Sequence, residues 1–437
     1  MTGITTMFFG GTVFAFSGAW NVLSSATAET GAGLALGYDG SGSPYVMMAG
    51  NTSGPVNTRA LRVNTLRASV WTRSLTRPSS GSATCTGATA DSSYNTFTVS
   101  NIATSGGAQE GMGLAKIDTD GALSWQRKLS TGTSPDLNAR GVATDSSDNV
   151  YAAGYASDGS AGFVAKYNSS GTIQWQRALT TTDNALIDSV ATDASGNVIV
   201  AGHYNFSSAN TYAFVAKYNS SGVIQWQKYV NLTASNYTVY IPAVVCDSSD
   251  NIYFYMSAEA SPGTPYSYYV QLNSSGVMGW TRRITADNTF STGAAYIDAS
   301  GGIYFAHEGL DDDGYIVKYD SSGTRQFDVL LSHVTGSCGI VADTAGFMWN
   351  LGTVSGATET YYSLTRVPSD VAVSSTFSMV APYGTITVTT SAPSYTQTTT
   401  ALTIATSSLT DAAGAYTDSA GALTSGTFTA TAYTSAG

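Results

Sequence analysis

Three observations predict an all-β ring: a repeat of about fifty residues, four short alternating segments in each copy, and a composition rich in turn and strand formers. The period is explicit in VATDSSDNVYAAGY (142–155), VATDASGNVIVAGH (190–203) and VVCDSSDNIYFYMS (244–257), which run on to FVAKYNSSGTIQWQRAL, FVAKYNSSGVIQWQKYV and YVQLNSSGVMGWTRRI. Tryptophans at 20, 71, 125, 175, 226 and 280 are separated by 51, 54, 50, 51 and 54 residues, and Phe327 stands in the equivalent place 47 residues further on. Seven registers are filled. Four antiparallel strands per unit, repeated seven times, is the radial arrangement of a seven-bladed β-propeller, which leaves only short protected edges.

The elements of one unit follow from alternation of period two, the signature of a half-buried strand. In the third unit the strands are expected at Val142 to Asp145, Val150 to Tyr155, Phe163 to Tyr167 and Ile173 to Leu179. D-S-S-D-N or D-A-S-G-N joins the first two, and N-S-S-G, D-S-S-G or D-T-D-G joins the last two. Asx and Gly supply the left-handed or side-chain-capped conformations that tight hairpins need. The fourth-strand Trp is expected to pack between adjacent blades.

The motif ATDxSGNVYVAG…FVAKYNSSGxxQWQ resembles the seven-bladed β-propeller repeat family found in bacterial surface proteins and phage virion proteins. The resemblance runs from about Trp20 to Arg366 and is strongest between 110 and 325. It weakens at both ends, where the first unit reads GYDGSGSPYVMMAG and ALRVNT, and the last reads VADTAGFMWNLG and YYSLTRV. The chain begins with a fourth-type strand, Phe16 to Leu23, and its repeats end with a third-type strand near Tyr362 to Val367. The N-terminal strand is therefore expected to complete the seventh blade, with Val371 to Phe377 as the rival. The expected division is a propeller over 1–370 and a Thr/Ser/Ala-rich β extension over 371–437.

Conserved-length turns between strands one and two, and three and four, emerge on one face, which reads as scaffold. The connections of variable length share the opposite face: Ala156 to Gly162, Tyr204 to Tyr212, Asn231 to Tyr240, Ser257 to Ser267 and His307 to Gly314. Variable loops on a rigid frame are where binding usually resides. The candidate ligand-binding residues there are Tyr204, Tyr212, Tyr237, Tyr240, Tyr266, Tyr268, His307, Asp311, Asp312 and Asp313, beside His203. The bland alternative is that these side chains cover the funnel or pack on a neighbouring subunit.

No cofactor and no metal are expected. The three consecutive aspartates lack the staggered spacing of a calcium loop and read as a solvated loop. His203, His307 and His333 have no matched carboxylate or nucleophile, and His203 and His307 are read as equivalent positions just after strand two. Cys85, Cys246 and Cys338 lie far apart without a CxxC and read as buried small apolar residues. The N-S-S, N-L-T and N-Y-T triplets match glycosylation sequons, though N-S-S is also accounted for by the repeat turn.

A net charge of −11 and a pI near 4.5, with no basic run, exclude a duplex-binding surface. Met7 to Trp20 is interrupted by glycines and too short to span a bilayer, so no membrane insertion is expected. The first basic residue is Arg59, so no ordinary export signal is expected. After Arg366 the chain alternates Thr with small apolar residues, as in TITVTT and TFTATAYT, with too few large apolar residues for a core of its own. It is expected to add strands to the propeller or to a partner chain, with disorder as the alternative.

No nucleophile elbow, phosphate loop or paired-carboxylate motif is visible, so a non-enzymatic role is expected. Together with the resemblance, this implies a phage virion structural protein of the tail or tail tip, for assembly and host attachment. Its expected partners are other virion proteins or copies of itself, and a host surface glycan or protein, with no nucleic acid. The alternative is an extracellular or bacterial cell-surface propeller that binds glycans or adheres. A propeller hydrolase or lyase would instead cluster His, Asp and Tyr at one end of the central channel.

Overall fold

After a two-stranded hairpin of Met7–Phe9 and Thr12–Phe14, seven larger antiparallel sheets follow one another along the chain, and no helix occurs among the described residues. The computed structural model describes residues 30–368 apart from 40, 52–57, 65–68, 77–80, 131–135, 181–184, 208–209, 232–236, 261–264, 286–292, 309–313, 332–334 and 356–359. It also describes 7–9, 12–14, 20–23, 375–381, 384–391, 403–406, 410–413, 417–420 and 424–426.

Blades 1 to 6 each take four consecutive strands. In blade 3 these are Leu137–Thr144, Val150–Ala156, Ala161–Tyr167 and Ile173–Thr180; in blade 4, Ala185–Thr192, Val198–Ser207, Asn210–Tyr218 and Ile224–Asn231. Blade 5 uses Tyr237–Cys246, Ile252–Ala260, Pro265–Leu272 and Met278–Thr285, and blade 6 uses Gly293–Ile297, Ile303–Glu308, Gly314–Tyr319 and Arg325–Leu331. First strands start earlier than the alternation suggests, at Leu137 rather than Val142, because a bulge between Ala139 and Gly141 breaks the period without ending the ladder.

Blade 7 has Thr335–Ala342, Phe347–Ser355 and Thr360–Pro368, and Trp20–Leu23 supplies its fourth strand, pairing Trp20 with Arg366 and Leu23 with Ser363. Leu34, Val46 and Met48 of blade 1 pack on Val341, Trp349, Leu351 and Leu364 of blade 7, so the closing seam is filled like the others. The rival strand goes elsewhere: Ser375–Ala381 pairs with Gly384–Ser391, which lies on the outer strand of blade 6.

From there the chain returns along the rim. Thr403–Thr406 adds to the outer strand of blade 4, Thr410–Ala413 to blade 3, Thr417–Ala420 to blade 2 and Thr424–Gly426 to blade 1. A Thr-rich segment suits this place, since a rim strand needs a pleated backbone more than a buried side chain.

Two recurring devices explain the repeat. Within a blade, the aspartate opening the first turn caps it and then binds strand three. Oδ1 of Asp145 accepts the N–H of Ser147 and of Asn149, each at 2.9 Å, while Oδ2 accepts the Tyr151 hydroxyl at 3.0 Å. The lysine of the FVAKY segment approaches the same oxygen: Lys116 and Asp91 at 2.9 Å, Lys217 and Asp193 at 2.7 Å, Lys318 and Asp298 at 3.1 Å. Arg366 takes this part beside Asp343 at 3.1 Å. Burial opposes ionisation of Asp298, but the bonds from Ser300, Gly302 and Lys318 outweigh it and hold its pKa at about 2.

Between blades, the fourth-strand Trp reaches the next blade's last turn. Trp125 donates to the Ser169 carbonyl, Trp175 to Ser220 and Trp280 to Ser321, each at 3.0 Å, and Trp226 donates to Ser274 at 3.1 Å. Arg177 follows with an Nε–H donated to the Gly222 carbonyl at 2.6 Å. Gly222 has φ +75°, and a Cβ there would lie 2.7 Å from the Trp175 ring, so turn conformation and inter-blade contact both require glycine.

Gly196 has a similar φ of +77° with open space around it, which separates the two demands. Gly196→Ala should cost about 1 kcal/mol from backbone strain, and Gly222→Ala about 1–3 kcal/mol more because a ring must move. Urea unfolding of the two variants checks the difference; equal losses would show that the Trp contact contributes nothing.

Candidate functional site

Seven first strands surround a central cavity of about 180 Å³, and every blade contributes three successive residues to its wall. Most are small or apolar, including Gly33, Gly87, Gly141 and Gly293. Two charged residues stand among them, Arg140 of blade 3 and Asp188 of blade 4. Both occupy the bulge of their strand, between Ala139 and Gly141 and between Ile187 and Ser189. A bulge leaves one residue without a cross-strand partner and re-aims its side chain. Here the re-aimed side chains carry charge.

Arg140 is exposed and donates to the Tyr155 hydroxyl at 2.8 Å, with its guanidinium carbon 5.1 Å from the Tyr155 ring centre. Asp188 lies 2.7 Å from Nδ1 of His203 and accepts the N–H of Ile241 in blade 5 at 3.3 Å. The His203 ring meets Tyr240 of blade 5 edge to face, with centroids 5.1 Å apart. Tyr155 sits near the end of its strand two and His203 just past the middle of its own, and Arg140 and Asp188 lie in the first half of strand one. The group therefore occupies the half of the channel nearest the variable connections.

The other aromatic candidates lie apart from it and on strands rather than in loops, because the ladders continue beyond the repeat motif. Tyr204 and Tyr212 are cross-strand partners in blade 4 whose rings stack at 5.7 Å, and Tyr204 is buried. Tyr266 and Tyr268 are both on the third strand of blade 5, where Tyr268 is buried and Tyr266 lies under Arg283 at 4.5 Å. Tyr237 begins the first strand of that blade, its Cα opposite Ala260. Asp311, Asp312 and Asp313 lie outside the described residues.

His307 corrects its supposed equivalence with His203. Counted from the turn aspartates, His307 is nine residues after Asp298 and His203 ten after Asp193, and one residue reverses the face of a strand. The true counterpart of His307 is Gly202, where a Cβ would run into the Leu186 carbonyl of the bulged first strand. Blade 6 pairs Gly293 through Ile297 without a bulge, which makes room for histidine.

His307 is buried, its ring stacked on Tyr255 at 4.4 Å. Its Nδ1 faces the Glu308 carbonyl at 2.6 Å, which can only accept, so Nδ1 carries the proton and Nε2 accepts the Tyr269 hydroxyl at 2.7 Å. Burial pushes its pKa down to about 4. The group is a neutral packing element.

Burial also pushes the thiols of Cys85 and Cys338 up to about 12. Among the described residues, no group of three or more His, Cys, Asp and Glu could hold a metal ion.

Bulge residues were not among the sequence candidates, although a signal existed: Arg140 and Asp188 interrupt strands in which the corresponding residue of other blades is Ala32 or Thr86. The fold and channel define a propeller. No family model matches the chain, and no curated protein matches it. Among solved structures, it is similar to a protein of unknown function from Bacteroides caccae at 14% identity and TM-score 0.36, covering 70% of this chain and 92% of that one. It is also similar to the polysaccharide lyase Uly1 at 12% identity and TM-score 0.47, covering 84% and 95%. The Neurospora crassa Pan2 WD40 domain matches at 10% identity and TM-score 0.41, covering 78% and 96%. These are likenesses of fold.

The pKa of His307 gives a pH prediction with a definite sign. The unfolded state binds a proton near pH 6.5 and the folded state only near 4, so stability is complete above 6.5 and falls as pH drops from 6.5 toward 4. His307→Gln should flatten that part of the stability curve in urea titrations at stepped pH; an unchanged slope would place the acid sensitivity elsewhere.

Proposed function

We propose that this chain is a non-enzymatic structural protein of a phage tail or tail tip, a propeller over 1–370 with an assembly segment over 371–437, that serves assembly and host attachment. The observation that carries this reading is the C-terminal return along the rim, where strands of three or four residues occupy the outer edges of blades 1 to 4. An edge strand will accept any extended segment, so the same pairing made to a neighbouring copy or another virion protein is an assembly contact. The sequence resemblance to phage virion propellers supports the location, and the channel half nearest the variable connections offers a surface for a host glycan or protein.

One observation favours a second reading, a hydrolase or lyase: Asp188 at the channel wall contacts His203, whose ring meets Tyr240, a grouping of the residue types such an enzyme would display. Weighing against it, Asp188 also caps the backbone of the next blade through Ile241, a task sufficient to account for it.

Cryo-EM of purified particles from the source decides the location. The attachment reading expects density for this ring at a symmetric tail position; particles without the chain would overturn it in favour of a secreted or surface propeller.

A further inference from the structure

We propose that the channel half where Arg140 and Asp188 line the cavity, backed by Tyr155 and His203, binds a small hydroxylated carboxylate of single-ring size, such as a uronic acid. The inference goes beyond the attachment reading, since it holds for the isolated ring wherever that ring resides.

Arg140 is the anchor. Arg140 lines the cavity, is exposed, and has no carboxylate within ion-pair distance among the described residues; its guanidinium hydrogen bond goes to the neutral Tyr155 hydroxyl. A guanidinium presents five donors in a fork that matches a carboxylate, and one is spent on Tyr155. Packing does not account for an arginine here, because strand one of the other blades has Ala32, Thr86 or Pro242 at the channel wall.

Asp188 does not neutralise Arg140, being occupied by His203 and the Ile241 N–H. Its remaining lone pairs suit ligand hydroxyls.

Size narrows the class. About 180 Å³ lies below the ~300–1,000 Å³ of pockets for drug-sized ligands, so one ring fits and an extended chain does not. Such a ring can be a free sugar acid or the terminal unit of an acidic glycan, and the two share the same recognition.

Isothermal titration of the full-length chain with glucuronate, glucose and a short glucuronate-terminated oligosaccharide tests this. Glucuronate is expected to bind and glucose to bind at least about tenfold more weakly, the loss expected for a missing charge-assisted hydrogen bond pair. Arg140→Ala should weaken glucuronate about tenfold or more and Arg140→Lys less, while Lys128→Ala, which removes an equal charge from an outer strand, should leave it unchanged. Because Arg140 is exposed, the variants should keep the parent's melting temperature. Equal binding of glucose and glucuronate, absence of binding by both glucuronate and the oligosaccharide, or an Arg140→Ala protein that is folded and binds normally would each overturn the proposal. Binding of the oligosaccharide alone would identify a glycan end as the ligand. None of these results bears on where the chain sits in a particle.

Discussion

Six of the seven blades share a carboxylate at the first turn that is buried in four of them and half-buried in two, while its blade 1 counterpart, Asp39, is exposed. The aspartates at 91, 145, 193, 247, 298 and 343 close the hairpin of strands one and two through their own backbone neighbours. In five of these blades, a cation on strand three approaches the same carboxylate, so one side chain couples three of the four strands. Blade 5 departs from this with Gln271 in the lysine position, and there Asp247 relies on the Tyr253 hydroxyl and Asn251. The lysine also turns outward: Nζ of Lys166 donates to the Ser220 carbonyl of blade 4 at 3.2 Å, beside the Trp175 bond to the same oxygen. The intra-blade node and the inter-blade latch thus meet at one turn.

This arrangement explains why the repeat was legible. The turn aspartate, the strand-three lysine, the tryptophan and the turn glycine each make a contact with a fixed spacing, within one blade or to the next. Near-identical copies are therefore needed for every interface of the ring to be filled in the same way. The ring closure was legible for a related reason, because Trp20 stands in the fourth-strand register and blade 7 otherwise lacks that strand.

The channel was not legible, and the reason is physical. A bulge adds one residue to a first strand without a turn signal, so alternation loses its phase at Arg140 and Asp188 and the repeat motif hides what they face. The same sensitivity to one residue separates His203, turned toward blade 5 from blade 4, from His307, turned toward blade 5 from the other side. Tyr204 and Tyr212 were expected in a loop because the motif ends there, whereas the hairpin continues and stacks them. The departures from the repeat fall at positions where the ring does not dictate the residue.

A double-mutant cycle on Asp193 and Lys217, with Asp193→Asn, Lys217→Met and the pair compared by urea unfolding, tests the dependence on the turn carboxylate most directly. Both side chains are largely buried and 2.7 Å apart. Breaking such a pair from one side leaves a buried charge without its partner, so each single change should cost about 3 kcal/mol, with a coupling of at least about 1 kcal/mol between them. Additive losses, or single losses near zero, would contradict the account.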